Sequence, residues 1–308
     1  MNYAEDISQQ YPRSENIWDI FSSIAGGKTS GKLSAKDICN AYKYTGALSK
    51  SRRMITNDFP NGILESDLVA HWLIQSFSIY KNALEGWQFT KQKYGAPHKK
   101  TVPIILPNEL TERQLLQVRY EKYIEMWLYN KYCDTPLPAT IYTADLKKTN
   151  QQFLGKCISY ERYLKIGSGE AVDLISLQPN SNRHKLYILE LKSGCSKETL
   201  LRCLLEAYTY AKMIKPEWRN EFYRELGIQD QGVQLVICPL FFNSTHSRQY
   251  DEFIKESKSG MSQIKALSQK IEASEKDSIS VEFAYLDYNL MPREIKSWLD
   301  FEASRVIR

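Results

Sequence analysis

The sequence predicts an α/β (α+β) core, in which a central mixed sheet is flanked by helices, with a helical N-terminal domain ahead of it. Three observations predict this. Short runs rich in Val, Ile, Leu and Tyr, bounded by Gly, Pro, Asn and Ser, recur after residue 150 and have the length and composition of strands. Longer stretches between them repeat apolar residues at helical spacing. The first hundred residues show helical periodicity and a concentration of Lys and Arg.

A chain of 308 residues is long enough for one large domain or two ordinary ones. Its 43% hydrophobic and 25% charged residues are those of an ordinary globular protein, which excludes disordered and fibrous classes. No apolar run reaches the roughly 18 residues that a bilayer span needs. The opening Met1-Asn-Tyr-Ala-Glu-Asp6 is polar and acidic, unlike a signal peptide, so a cytoplasmic protein with no membrane partner is expected. The six cysteines (Cys39, Cys133, Cys157, Cys195, Cys203, Cys238) form no Cys-x-x-Cys pair, and the four histidines show no ligand spacing. Buried free thiols are expected.

Residues 1–105 hold 13 Lys/Arg against 9 Asp/Glu, and residues 106–308 hold 28 against 27. Positions 28–53 concentrate seven bases (Lys28, Lys32, Lys36, Lys43, Lys50, Arg52, Arg53) against the single acid Asp37. That density suits a polyanion, since each neutralised phosphate releases counterions; an ordinary solvated face is the alternative.

In chain order, Gly26-Gly-Lys-Thr-Ser-Gly31 lacks the glycine and the preceding strand of a phosphate-binding loop, which excludes a nucleoside-triphosphate site there. Ser34 caps an expected helix through Tyr44, Thr45-Gly46 stops it, and a short helix follows over 48–55. This pair is similar to a helix-turn-helix, with Lys50, Arg52 and Arg53 as nucleic-acid-binding residues; a plain helical hairpin has the same pattern. An amphipathic helix is expected over 64–87, then a basic connector over 94–103 and a boundary near 105. The expected domains are therefore 1–105 and 106–308. The second opens with a helix over 111–132, started by a Thr-x-x-Gln capping pair. Strands follow over 157–166, 171–177 and 185–192, then a helix over 197–214 and strands over 233–238 and 278–286.

The chemistry gathers in Ala171–Lys192. In a strand, residues two apart share a face, so Glu190 and Lys192 point the same way, away from Tyr187, Leu189 and Leu191. A turn centred between Ser181 and Asn182 sets Asp173 across from Glu190, with β-carbons about 4.5–5.5 Å apart. Facing carboxylates repel unless a cation lies between them, and oxygen ligands suit Mg²⁺ or Mn²⁺. Lys192 beside such an ion could orient or deprotonate water and stabilise charge on a phosphate. A slip of one residue would send Asp173 to the other face.

Asp173 followed by Glu190-x-Lys192 at the end of an apolar strand resembles the PD-(D/E)XK nuclease superfamily, with Val172 where a proline often stands. Arg202, Glu206 and Tyr210, spaced i, i+4, i+8, form one polar stripe on the next helix. Glu206-x-x-x-Tyr210 resembles the Gln-x-x-x-Tyr motif of the RecB-like branch, with Glu for Gln. The likeness covers about 111–240. It implies a restriction-endonuclease-like core that hydrolyses phosphodiester bonds, of DNA by family habit. Asp173, Glu190, the Leu191 carbonyl and a helical Glu would hold the metal, and Lys192 would complete the catalytic centre. Arg202, Glu206 and Tyr210 would lie beside the metal and substrate. Glu121 suits the helical role because Ile124 and Leu128 would face the core beneath it; Glu125 is the alternate. A homodimer is compatible with this reading. The rival is a nucleic-acid-binding or interaction protein on the same fold, without turnover.

Overall fold

The computed structural model describes residues 120–163, 171–180, 183–193, 198–214, 216, 219–228, 232–259, 262–276 and 278–306, together with 70, 73–75 and 77–86. The basic segment with Lys50, Arg52 and Arg53, the glycine-rich loop and the connector at 94–103 lie outside the described residues.

The described helices and strands run α1 (Phe77–Gly86), α2 (Tyr120–Tyr132), β1 (Pro136–Pro138), β2 (Thr140–Thr143), β3 (Phe153–Tyr163), β4 (Ala171–Gln178) and β5 (His184–Leu191). They continue α3 (Leu200–Met213), α4 (Arg219–Glu225), β6 (Val233–Phe242), α5 (Arg248–Lys258), α6 (Gln263–Glu275), β7 (Ile279–Leu286) and α7 (Arg293–Val306), with a short 3₁₀ turn at Tyr288–Leu290. Seven strands form one mixed sheet in the order β1-β3-β4-β5-β6-β7-β2. β5, β6 and β7 are parallel, so helices must carry the chain back between them: α3 and α4 first, then α5 and α6. From β1 through β3 and β4 to β5 each pair is antiparallel, as is β2 to β7.

Both faces are covered. On one, Ile175, Leu186, Ile188, Leu235, Ile237 and Phe283 pack with Leu201, Leu204, Leu205 and Tyr208 of α3 and with α5 and α6. On the other, Leu174, Tyr187, Leu189, Leu191, Val236 and Leu240 pack with Ile124 and Leu128 of α2 and Ile295 and Leu299 of α7. β6 reads Val-Gln-Leu-Val-Ile-Cys-Pro-Leu-Phe-Phe because a central parallel strand is buried on both sides.

α1 lies within the helix expected over 64–87 and ahead of the expected boundary at 105. Ala70, Leu73, Phe77 and Tyr80 are buried in the α3-side core. Phe77 and Tyr80 stack on Tyr208 with ring centroids 5.7 and 6.1 Å away. The Tyr80 hydroxyl meets Thr209 Oγ1 at 3.1 Å. Buried Glu275 accepts from Tyr208 (2.7 Å) and Lys212, and pairs with Lys81. This helix therefore shares the core of the sheet.

Two strands run longer than expected, each past a residue that usually ends a strand. β6 continues through Pro239 to Phe242; its pairing to β7 is broken at Cys238 and Pro239, where proline has no N–H to give. β3 starts at Phe153 and passes through Gly155, whose φ of +87° a side chain rarely adopts. A β-carbon there would lie 2.2 Å from the Leu177 carbonyl oxygen. Gly155→Ala is expected to cost at least about 2 kcal/mol through clash and strain together. Urea unfolding checks this, and an unmoved midpoint would contradict the fold described.

Candidate metal and catalytic centre

The β4–β5 register decides what meets at the ends of the strands. Leu174 pairs with Leu189, Ile175 with Ile188, and so on to Gln178 with Lys185. This is the register the sequence predicts; the paired residues end at Leu174 and Leu189, and Asp173 lies just beyond them. Asp173 bridges the strands: its Oδ2 accepts the Leu191 N–H at 2.9 Å. Leu191 sends its side chain into the α2-side core, while Glu190 and Lys192 turn towards α3.

α3 supplies the opposing wall. Thr199 caps it, its hydroxyl accepting the Arg202 N–H at 3.1 Å, and buried Glu252 takes the Leu200 N–H at 2.7 Å. So fixed, its polar stripe meets β5. Lys192 Nζ lies 2.6 Å from Glu190 Oε1, 3.0 Å from Glu198 Oε2 and 3.5 Å from Glu206 Oε2. Arg202 pairs with Glu198 at 2.7 Å and reaches Glu206 at 4.0 Å, and the Tyr210 hydroxyl donates to Glu206 Oε1 at 3.1 Å.

α2 closes the other side. Glu121 Oε1 accepts the Ser193 N–H at 3.1 Å and feels the charges of Lys192 and Asp173. Glu125 is fully buried and pairs with Lys122 at 3.0 Å; the same ammonium lies 3.4 Å from Asp173 Oδ1. The two candidate helical carboxylates are thus both present, Glu121 on the Lys192 side and Glu125 on the Lys122 side.

Sequence reasoning missed two residues here. Glu198 lies one turn before Arg202, so extending the 202–206–210 stripe backwards would have found it. Lys122 follows Glu121 directly, and nothing in its spacing sets it apart from a surface lysine.

Among the described residues, the acids here outnumber the bases. Glu121, Glu125, Asp173, Glu190, Glu198 and Glu206 face Lys122, Lys192 and Arg202. Burial pushes the Glu190 carboxyl well above the usual range, helped by Asp173 and Glu206 and opposed by Lys192. Burial raises Glu125 in the same way, with Asp173 adding to it, and raises Glu121. Burial works against charge on Glu206 too, but Lys192 and Arg202 outweigh it and hold that carboxyl low. Burial also opposes charge on Lys192, yet Glu190 and Glu206 keep its ammonium well above the usual lysine range.

Among the described residues, no three His, Cys, Asp or Glu side chains stand together as a ready-made metal cage. Ammonium groups and backbone N–H groups lie between the carboxylates instead. The donor chemistry nevertheless fits a hard divalent cation. The ligands are carboxylate oxygens, they outnumber the cations, and the buried Glu190 Oε2 and Glu125 Oε1 receive no hydrogen bond. Glu190 can hydrogen bond to Glu206 only by taking up a proton; a cation would satisfy it while ionised.

Cys157, Cys203 and Cys238 are buried free thiols and Cys133 is a partly buried one. No helix among the described residues is long and apolar enough to cross a membrane. Comparison with protein families, curated proteins and solved structures finds no match to this chain.

A pH dependence follows. A carboxyl with a raised folded value holds its proton more tightly folded than unfolded. Its contribution is complete on the acid side and is lost as pH rises from the ordinary 4.5 through the folded value. Glu206, held low, contributes fully throughout that window. Lys192, held high, loses its contribution only above the ordinary 10.5. Metal-free protein should therefore lose stability as pH rises above the ordinary 4.5. Glu190→Gln, which keeps a donor facing Glu206, should flatten that loss and add about 1–3 kcal/mol at the alkaline end. Thermal unfolding across pH measures both, and an unchanged slope in the variant would rule out Glu190 as the source.

Proposed function

We propose that this chain is a metal-dependent nuclease with a restriction-endonuclease-like PD-(D/E)XK core that hydrolyses phosphodiester bonds in DNA. The observation that supports this reading is the burial of Asp173, Glu190 and Lys192 close enough for their charges to act on one another, with an oxygen of Glu190 left without a donor. Asp173 and Glu190, with Glu121 and the Leu191 carbonyl, would hold Mg²⁺ or Mn²⁺. When bound, such an ion polarises a phosphate oxygen and lowers the pKa of water.

The chain's own groups account for the rest. Lys192, kept charged by its carboxylates, is suited to donating hydrogen bonds: it orients the attacking water and balances charge that grows on the phosphate. Arg202 offers a fork of donors for a backbone phosphate. Glu206, tied to Tyr210, Arg202 and Lys192, fixes where the ammonium stands. The basic segment with Lys50, Arg52 and Arg53 would supply contacts to the DNA backbone.

A second reading, a nucleic-acid-binding or interaction protein without turnover, draws on one observation: ammonium groups occupy the spaces between the carboxylates. A divalent-metal titration against DNA and RNA separates the two. The nuclease reading expects metal-dependent cleavage that falls by at least about 10²–10³-fold in Asp173→Ala and Lys192→Ala. Binding without metal-dependent cleavage of any substrate would favour the second reading.

A further inference from the structure

Lys122 has an unusual position for a lysine on an otherwise ordinary helix. Its ammonium is 3.0 Å from Glu125 Oε2 and 3.4 Å from Asp173 Oδ1, so it bridges α2 and β4. Glu125 has no exposed surface, and its other oxygen, Oε1, is buried without a donor. Asp173 divides its oxygens, giving Oδ2 to the Leu191 N–H on the β5 side and Oδ1 to Lys122 on the α2 side. Asp173 therefore has two acidic neighbours whose charge it feels. One is Glu190, whose Oε2 lacks a donor. The other is Glu125, and the Lys122 ammonium pairs with both it and Asp173.

We propose that the Lys122 ammonium takes the place of a second metal ion. The centre then binds one divalent cation, between Asp173 and Glu190, and gains a second when Lys122 is neutralised. This inference rests on the nuclease reading and fixes the metal count of that site. The physical argument is charge balance. Remove the ammonium, and Glu125 and Asp173 lose the charge that pairs with both, with Glu121 adding to the repulsion on Glu125; these are hard oxygens that a small divalent ion satisfies. A lysine there also removes the symmetric clamp of two-metal hydrolysis, leaving Lys122 as a fixed positive charge beside Asp173.

The test is calorimetric titration of the metal-stripped full chain with Mn²⁺, which reads stoichiometry whether or not a substrate is known. Wild type is expected to take up one ion per chain, Lys122→Met two, and Lys122→Arg, which keeps the charge, one. The double variant Lys122→Met/Glu125→Gln should return to one, locating the second ion at Glu125. Lys122→Gln serves if Lys122→Met does not fold. Two ions in wild type would overturn the proposal while leaving the nuclease reading standing, as would one ion in both wild type and the neutral variants. No ion in wild type would remove the nuclease reading and this inference with it.

Discussion

The register of the β4–β5 hairpin is the constraint on which the rest depends. Side chains alternate along a strand, so the pairing decides which residues of β4 and β5 share a core, and it carries Asp173 to the end where its Oδ2 meets the Leu191 N–H. Apolar residues hold that register. Ile175, Leu186 and Ile188 belong to the α3 side, and Leu174, Tyr187 and Leu189 to the α2 side. A slip by one residue would exchange the two sets along the whole hairpin. The Tyr187 hydroxyl reinforces the register from the far end, where Gln151, Gln178 and Glu282 surround it. Packing at one end of the hairpin thus fixes the geometry of the charges at the other.

Those charges are an odd investment for stability alone. Replacing a buried ion pair with well-packed apolar residues is often neutral or stabilising, so a network of acids and ammonium groups needs another reason to be there. Its arrangement is graded. Glu206 is matched by Lys192, Arg202 and Tyr210, while Glu190 and Glu125 each keep an oxygen without a donor. Both of those carboxyls also feel the charge of Asp173.

Much of this was legible in the sequence, for physical reasons that differ from residue to residue. β4, β5 and α3 were visible because their periodicity is clean and their ends carry turn or cap residues. Asp173, Glu190, Lys192 and the Arg202–Glu206–Tyr210 stripe followed from spacing alone. Glu121 was favoured and Glu125 was the alternate; residues four apart share a helix face, and both carboxyls feel the charge of Asp173. α5 was hidden because its buried side includes Gln249, Glu252 and Glu256 as well as Phe253, which disguises the apolar stripe. Those acids are buried for structural ends: Glu252 caps α3, and Glu256 receives hydrogen bonds at the start of α6. The packing of α1 on Tyr208 was out of reach, since a helical stripe shows that something covers it without showing what.

The most direct test of the central claim is anomalous scattering from crystals of the full chain soaked in Mn²⁺. The expected result is a peak about 2 Å from carboxylate oxygens of both Asp173 and Glu190, with Lys192 still beside Glu190. Crystals with no peak at that position, and Glu190 still without a cation on its second oxygen, would contradict it.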